Sequence, residues 1–164
     1  MSPRPKINIQ LSGLDRIFES LSWLILGFMW VYTFLNYSSL PEKIPIHFNG
    51  SGVADDYGTK ATIFLFTGIG TLIFIGLTIL NKYPHSYNYL EKITEENALT
   101  KYTQATKMVR SLKLSITVIL FFSVYEICLI ANGKSEGFGL WFLPIALGLV
   151  LLPVIIFVIK SLKR

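Results

Sequence analysis

The chain has 164 residues, 52% of them hydrophobic and only 15% charged, with a net charge of +5 and a mean hydropathy of +0.53. That is too apolar for an ordinary soluble domain, and the placement of the positive charge argues for membrane topology rather than nucleic acid. A single cysteine, Cys128, excludes an intrachain disulfide framework.

The apolar residues come in blocks rather than in alternation, which points to spanning helices. Residues 20–41, 61–81 and 137–159 carry no charge, and residues 114–133 carry only Glu126. A helix rising about 1.5 Å per residue crosses a hydrocarbon core about 30 Å thick in about 20 residues. The sequence therefore predicts an all-α integral membrane protein, one domain over 1–164 with helices at about 14–37, 60–81, 95–132 and 139–160.

Residues 1–13, with Pro3, Pro5 and Gly13, read as a loose tail. The first helix starts amphipathically, with Asp15, Arg16 and Glu19 against Leu14, Ile17, Phe18 and Leu21, and this turn is expected partly in the headgroups. No cleavage site follows its apolar run, so it reads as an uncleaved anchor. An ordered loop at 38–59 leads to a second helix, for which Thr59 is the expected N-cap. Thr67, Gly68, Gly70, Thr71 and Gly76 let that helix approach its neighbours closely.

Residues 82–93 hold Pro84 and three tyrosines and read as irregular, with His85 at the surface. Thr94 then caps a long helix, and Glu95 and Glu96 favour its positive end. Ala98, Tyr102, Ala105, Val109, Leu112 and Ile116 form one apolar seam running into the third membrane block. The seam either packs against the chain's own helices or a second copy, or it docks a cytoplasmic protein on residues 94–113. In the last helix Pro144 and Pro153 imply kinks.

The fifteen Lys and Arg residues set the expected orientation. Arg4, Lys6, Arg16, Lys82, Lys92, Lys101, Lys107, Arg110, Lys113, Lys160, Lys163 and Arg164 fall on one side, and only Lys43, Lys60 and Lys134 on the other. Both termini and the segment 82–113 are then cytoplasmic, with the third helix extended into the cytoplasm. The 38–59 loop is extracellular. Tyr37, Tyr57, Tyr83 and Trp141 near the helix ends fit interfacial belts.

The loop sequence "IPIHFNGSG" carries the chemistry. Pro45 pushes Ile44 into an extended form. Alternation then puts Ile46 and Phe48 on one side, and His47 and Asn49 on the other. Gly50 and Gly52 permit a reversal, and Asp55, Asp56 and Gly58 a second turn before Lys60. Three readings stand. His47, Asn49 and Asp55 hold the loop's own backbone. Alternatively, His47, Asn49, Gly52, Asp55, Asp56 and Lys60 shape a ligand or peptide site. A metal site is the third, but the spacing fits no standard motif. Glu126, about 9 Å below the end of its helix, either reaches up to the interface or meets the loop through Lys60 or His47.

Residues 40–60, "LPEKIPIHFNGSGVADDYGTK", resemble the signature loop of the bacterial membrane domain of unknown function 1648. The matching positions are Leu40, Pro41, Ile44, Pro45, His47, Phe48, Asn49, Gly52, Asp55, Gly58 and Lys60. Thr94, Glu96, Asn97, Ala98 and Tyr102 match a second run of that family. The resemblance implies a relative of the sporulation-delay immunity protein, in which a membrane protein guards against a secreted killing peptide and recruits a repressor. It implies no catalytic residue.

The expected function is thus a non-enzymatic, multi-pass protein of the bacterial plasma membrane, of immunity or signalling type. It needs no cofactor and no metal. Its partners are the lipid bilayer, an extracellular peptide or small ligand at the loop, a cytoplasmic protein on 94–113, or a second copy. The alternative is a small transporter or accessory subunit whose path uses Glu126. An enzyme fits worst, because no nucleophile, second histidine or oxyanion hole accompanies His47.

Overall fold

A chain in lipid must satisfy its own backbone, so long apolar runs become unbroken helices. The computed structural model, which describes residues 4–162, is mostly helical. Its helices are α1 (Gly13–Tyr37), α2 (Thr62–Leu80), α3 (Glu95–Ala131) and α4 (Phe142–Leu162). All four are long and apolar enough to cross a membrane. Pro3, Lys163 and Arg164 lie outside the described residues.

At 37 residues α3 is the longest element, about 55 Å at the usual helical rise and so longer than a hydrocarbon core is thick. It begins on Thr94, whose hydroxyl accepts the Asn97 N–H while the Asn97 side chain accepts the Thr94 N–H. The other three helices pack on α3. Small and hydroxylated side chains tighten the join between α1 and α2. The Thr33 and Thr67 hydroxyls share a hydrogen bond of 3.0 Å, and Trp30 Nε1–H donates to Thr71 at 2.9 Å. α4 packs chiefly on α3 and buries none of its residues.

Several sequence expectations change here. The tail is not loose over its described part: Arg4 donates to the carbonyls of His85 and Tyr87 at 3.1 and 2.6 Å. Ile7 and Ile9 pack with Tyr89 against Ile93, Ala98 and Tyr102. The first half of the α3 seam is therefore covered by the chain itself. Segment 82–93 is irregular apart from a 3-10 turn at Pro84–Ser86, and His85 in it is half-buried. Thr59 caps nothing. It ends a β-strand opposite Lys43, and α2 starts three residues later with no side-chain cap. Pro144 falls in the first turn of α4, where the missing N–H has no helical partner to lose.

The largest departure is at the start of α1. Asp15 and Glu19 pair with α3 inside the bundle. Arg110 Nη1 lies 3.4 Å from Asp15, Arg110 Nε 3.4 Å from Glu19, and Lys113 Nζ 2.5 Å from Glu19. Lys113 also donates to Thr78 of α2 at 3.1 Å and sits 4.7 Å from the Phe74 ring centre. Arg110 and Lys113, read from sequence as loop cations, have side chains only 7% and 1% exposed. Burying them is costly, and the pairing and hydrogen bonds offset that cost.

Candidate functional site

The loop between α1 and α2 is a β-hairpin, β1 (Lys43–Phe48) against β2 (Ala54–Thr59). Its register runs from Lys43 opposite Thr59 to Phe48 opposite Ala54, with two shifts that leave Ile46 and Asp55 unmatched across the ladder. Burial alternates from Ile46 onward, as the extended reading requires, whereas Ile44 and Pro45 before it are both buried. Ile44 is buried, Ile46 and Phe48 are half-buried, and His47 is exposed.

The reversal depends on Asn49. Its carboxamide oxygen accepts the Ser51 and Val53 N–H groups at 2.9 and 3.1 Å, and its own N–H bonds the Val53 carbonyl at 3.0 Å. This is a side chain standing in for backbone, as asparagine does beside glycines. Gly52 completes the turn at φ +78°, in the left-handed region. The bulge at Asp55 brings its carboxylate 2.5 Å from His47 Nδ1. The two side chains are 68% and 42% exposed, so solvent screens the pair.

The other candidates are separate. Asp56 accepts the Tyr57 N–H at 2.8 Å. Lys60 clasps the base of the hairpin, 2.9 Å from Glu42 and 5.5 Å from the Tyr37 ring centre. Glu126 is buried and accepts the hydroxyl of Ser135, in the loop between α3 and α4. It meets neither Lys60 nor His47, whose partners are Glu42 and Asp55. Among the described residues no three His, Cys, Asp or Glu side chains gather as a metal site would need.

What the hairpin does enclose is apolar. A cleft of about 390 Å³ lies beneath it, walled by Ile46, Phe48, Phe66, Leu120, Phe138 and Phe142. Asn49, Gly50, Gly52 and Ser123 also line it, and no charged side chain does. Phe138 meets Phe48 edge-on at 4.5 Å and stacks on Phe142 at 4.3 Å. Main chain meets main chain beside it: the Phe138 N–H donates to the Gly52 carbonyl at 2.8 Å. A Cβ on Gly52 would stand 2.8 Å from the Gly139 backbone, so only glycine permits this approach. Sequence reading missed Phe138 and its flanking glycines. The signal was there in "GFG" at 137–139, a second glycine-aromatic run at the edge of an apolar block.

These features define a multi-pass membrane protein with four candidate spans and a hairpin closing one end of the bundle. The family model described as "Domain of unknown function (DUF1648)" matches residues 24–71. That stretch takes in most of α1, the whole hairpin and the first half of α2. A protein of Archaeoglobus fulgidus described as uncharacterized is 28% identical over 96 residues, covering 54% of this chain and 50% of its own length. The chain thus matches about half the length of that relative. No solved structure matches.

Proposed function

We propose that this is a non-enzymatic binding protein of the bacterial plasma membrane, of immunity or signalling type, with the hairpin outside the cell. Its site takes the apolar part of an extended extracellular peptide. The observation that carries this reading is the uncharged, phenylalanine-walled cleft roofed by the hairpin. A peptide suits it better than a compact ligand. The sheet has only two strands, and β2 is largely exposed, so an extended chain can add along its free edge while a side chain enters the cleft. His47 and Asp55 lie on the solvent face, where they would read the part of the peptide that stays in water.

Orientation rests on positive-inside bias. The charged helix ends lie together: Lys113 of α3 meets Glu19 at the start of α1 and Thr78 near the end of α2, and Lys101 donates to the Ser161 carbonyl of α4. Setting aside the buried Arg110 and Lys113 still leaves ten cations against three. The transport alternative has less behind it, since Glu126 is tied to Ser135 and lines neither the cleft nor the groove between α1 and α4.

Two measurements test the reading. On intact cells, in a Cys128→Ala background, an impermeant thiol reagent should label a cysteine at exposed Ser51 and not one at exposed Thr100. The reverse pattern inverts the scheme. Peptides selected from a random library on the full chain in nanodiscs should be apolar and should lose about tenfold in affinity with Phe48→Ala. Selected peptides indifferent to Phe48→Ala would refute the site.

A further inference from the structure

A second cavity lies at the charged end of the bundle, remote from the hairpin. α1 and α4 both pack on α3 and leave a groove of about 420 Å³ between them. Its walls are greasy: Leu14 and Phe18 from α1, Leu114 from α3, and Leu152, Ile156 and Phe157 from α4. Two cations line it, Lys107 and Lys160, and neither makes an ion pair among the described residues. Gln104 lines it too, and its side-chain oxygen is buried with no hydrogen-bond partner. The one anion in the lining, Asp15, is already committed to Ser12 and Arg110.

From this we infer that the groove binds one anionic phospholipid, its acyl chain along the apolar walls and its phosphate between Lys107 and Lys160. Each part of the groove answers to a part of such a molecule. The apolar walls need a hydrocarbon, which free phosphate lacks. The two unpaired ammonium groups, both on exposed lysines, favour an anion, which a neutral detergent or zwitterionic lipid supplies poorly. Gln104 needs a donor, and a headgroup hydroxyl such as that of phosphatidylglycerol provides one. A headgroup held at that depth would bridge α3 and α4, whose other contacts leave every α4 residue at least partly exposed.

The test is a lipid titration of the detergent-purified full chain, followed by native mass spectrometry. Phosphatidylglycerol should be retained at one copy per chain, about tenfold more tightly than phosphatidylcholine of the same acyl length. K107Q/K160Q should abolish that preference, and Leu152→Trp, which fills the groove, should weaken retention of the lipid. K82Q/K92Q, which removes two exposed cations outside the groove, should leave the preference intact. Millimolar inorganic phosphate should not displace the lipid. Equal retention of the two lipids overturns the inference, as does an undiminished preference in K107Q/K160Q. So does an equal loss in K82Q/K92Q, which would mean diffuse attraction of lipid to charge. Displacement by free phosphate would reduce the site to an anion hole and also refute it.

Discussion

The two ends of the bundle are held by opposite chemistry. At the charged end, Asp15 and Glu19 meet Arg110 and Lys113 inside the helices, with Thr78 and the Phe74 ring completing the shell around Lys113. At the hairpin end Glu126, bonded to Ser135, is the one buried charged side chain among the described residues. There, an asparagine-held turn, a glycine-to-glycine backbone contact and a run of stacked phenylalanines do the joining. The exposed His47–Asp55 pair adds little. A buried ion network has one good arrangement and resists change, because moving any partner strands a charge. Aromatic and main-chain contacts tolerate small displacements. The hairpin end is therefore the more adjustable of the two.

That contrast can be broken, and the sharpest way is at Lys113. Lys113→Ala leaves Glu19 with only its 3.4 Å contact to Arg110 and should cost about 3 kcal/mol, seen as a large fall in melting temperature in detergent. Pairing it with Glu19→Gln should recover part of the loss. If the double variant is no better than the single, the two residues are not coupled and the charged end is not a network.

A smaller effect is expected at Gly52. Gly52→Val forces a branched side chain to φ +78° and into the Gly139 backbone, a strain of about 1–3 kcal/mol. The loss should be local. Hydrogen exchange should quicken at the Gly52 and Phe138 amides and stay unchanged in α3 near Arg110. Uniform acceleration across the chain would show that the two ends are not energetically separate.

The smallest change belongs to His47→Ala. An exposed pair contributes about 0–1 kcal/mol, so unfolding should hardly move. A loss comparable to that of Gly52→Val would mean that the imidazole supports the hairpin rather than facing a ligand.

Much of this architecture was legible in the chain. Charge-free blocks at 61–81 and 137–159 became α2 and α4, and Thr94 caps α3 as its position before two glutamates suggests. The Pro45 alternation placed Ile46 and Phe48 inward and His47 outward. What could not be read was anything depending on distant partners. Asp15 and Arg110 are 95 residues apart in the chain. The spacing of Asp15 with Glu19, and of Arg110 with Lys113, puts each pair on one helix face, yet nothing local says that the faces meet. The same holds for Ser135 and Glu126, which meet only because the loop after α3 folds back. The strand role of Thr59 was hidden because a threonine before an apolar run is as good a cap as it is a strand residue.

The unbroken course of α3 has a mechanical consequence. A helix that runs unbroken from Ile127, in the wall of the cleft, to Glu95 near the docked tail carries a rotation along its length better than a broken one would. A few degrees of rotation imposed at one extremity would in large part reach the other. There it would swing Leu99, which is 54% exposed, around the shaft like a pointer on a dial.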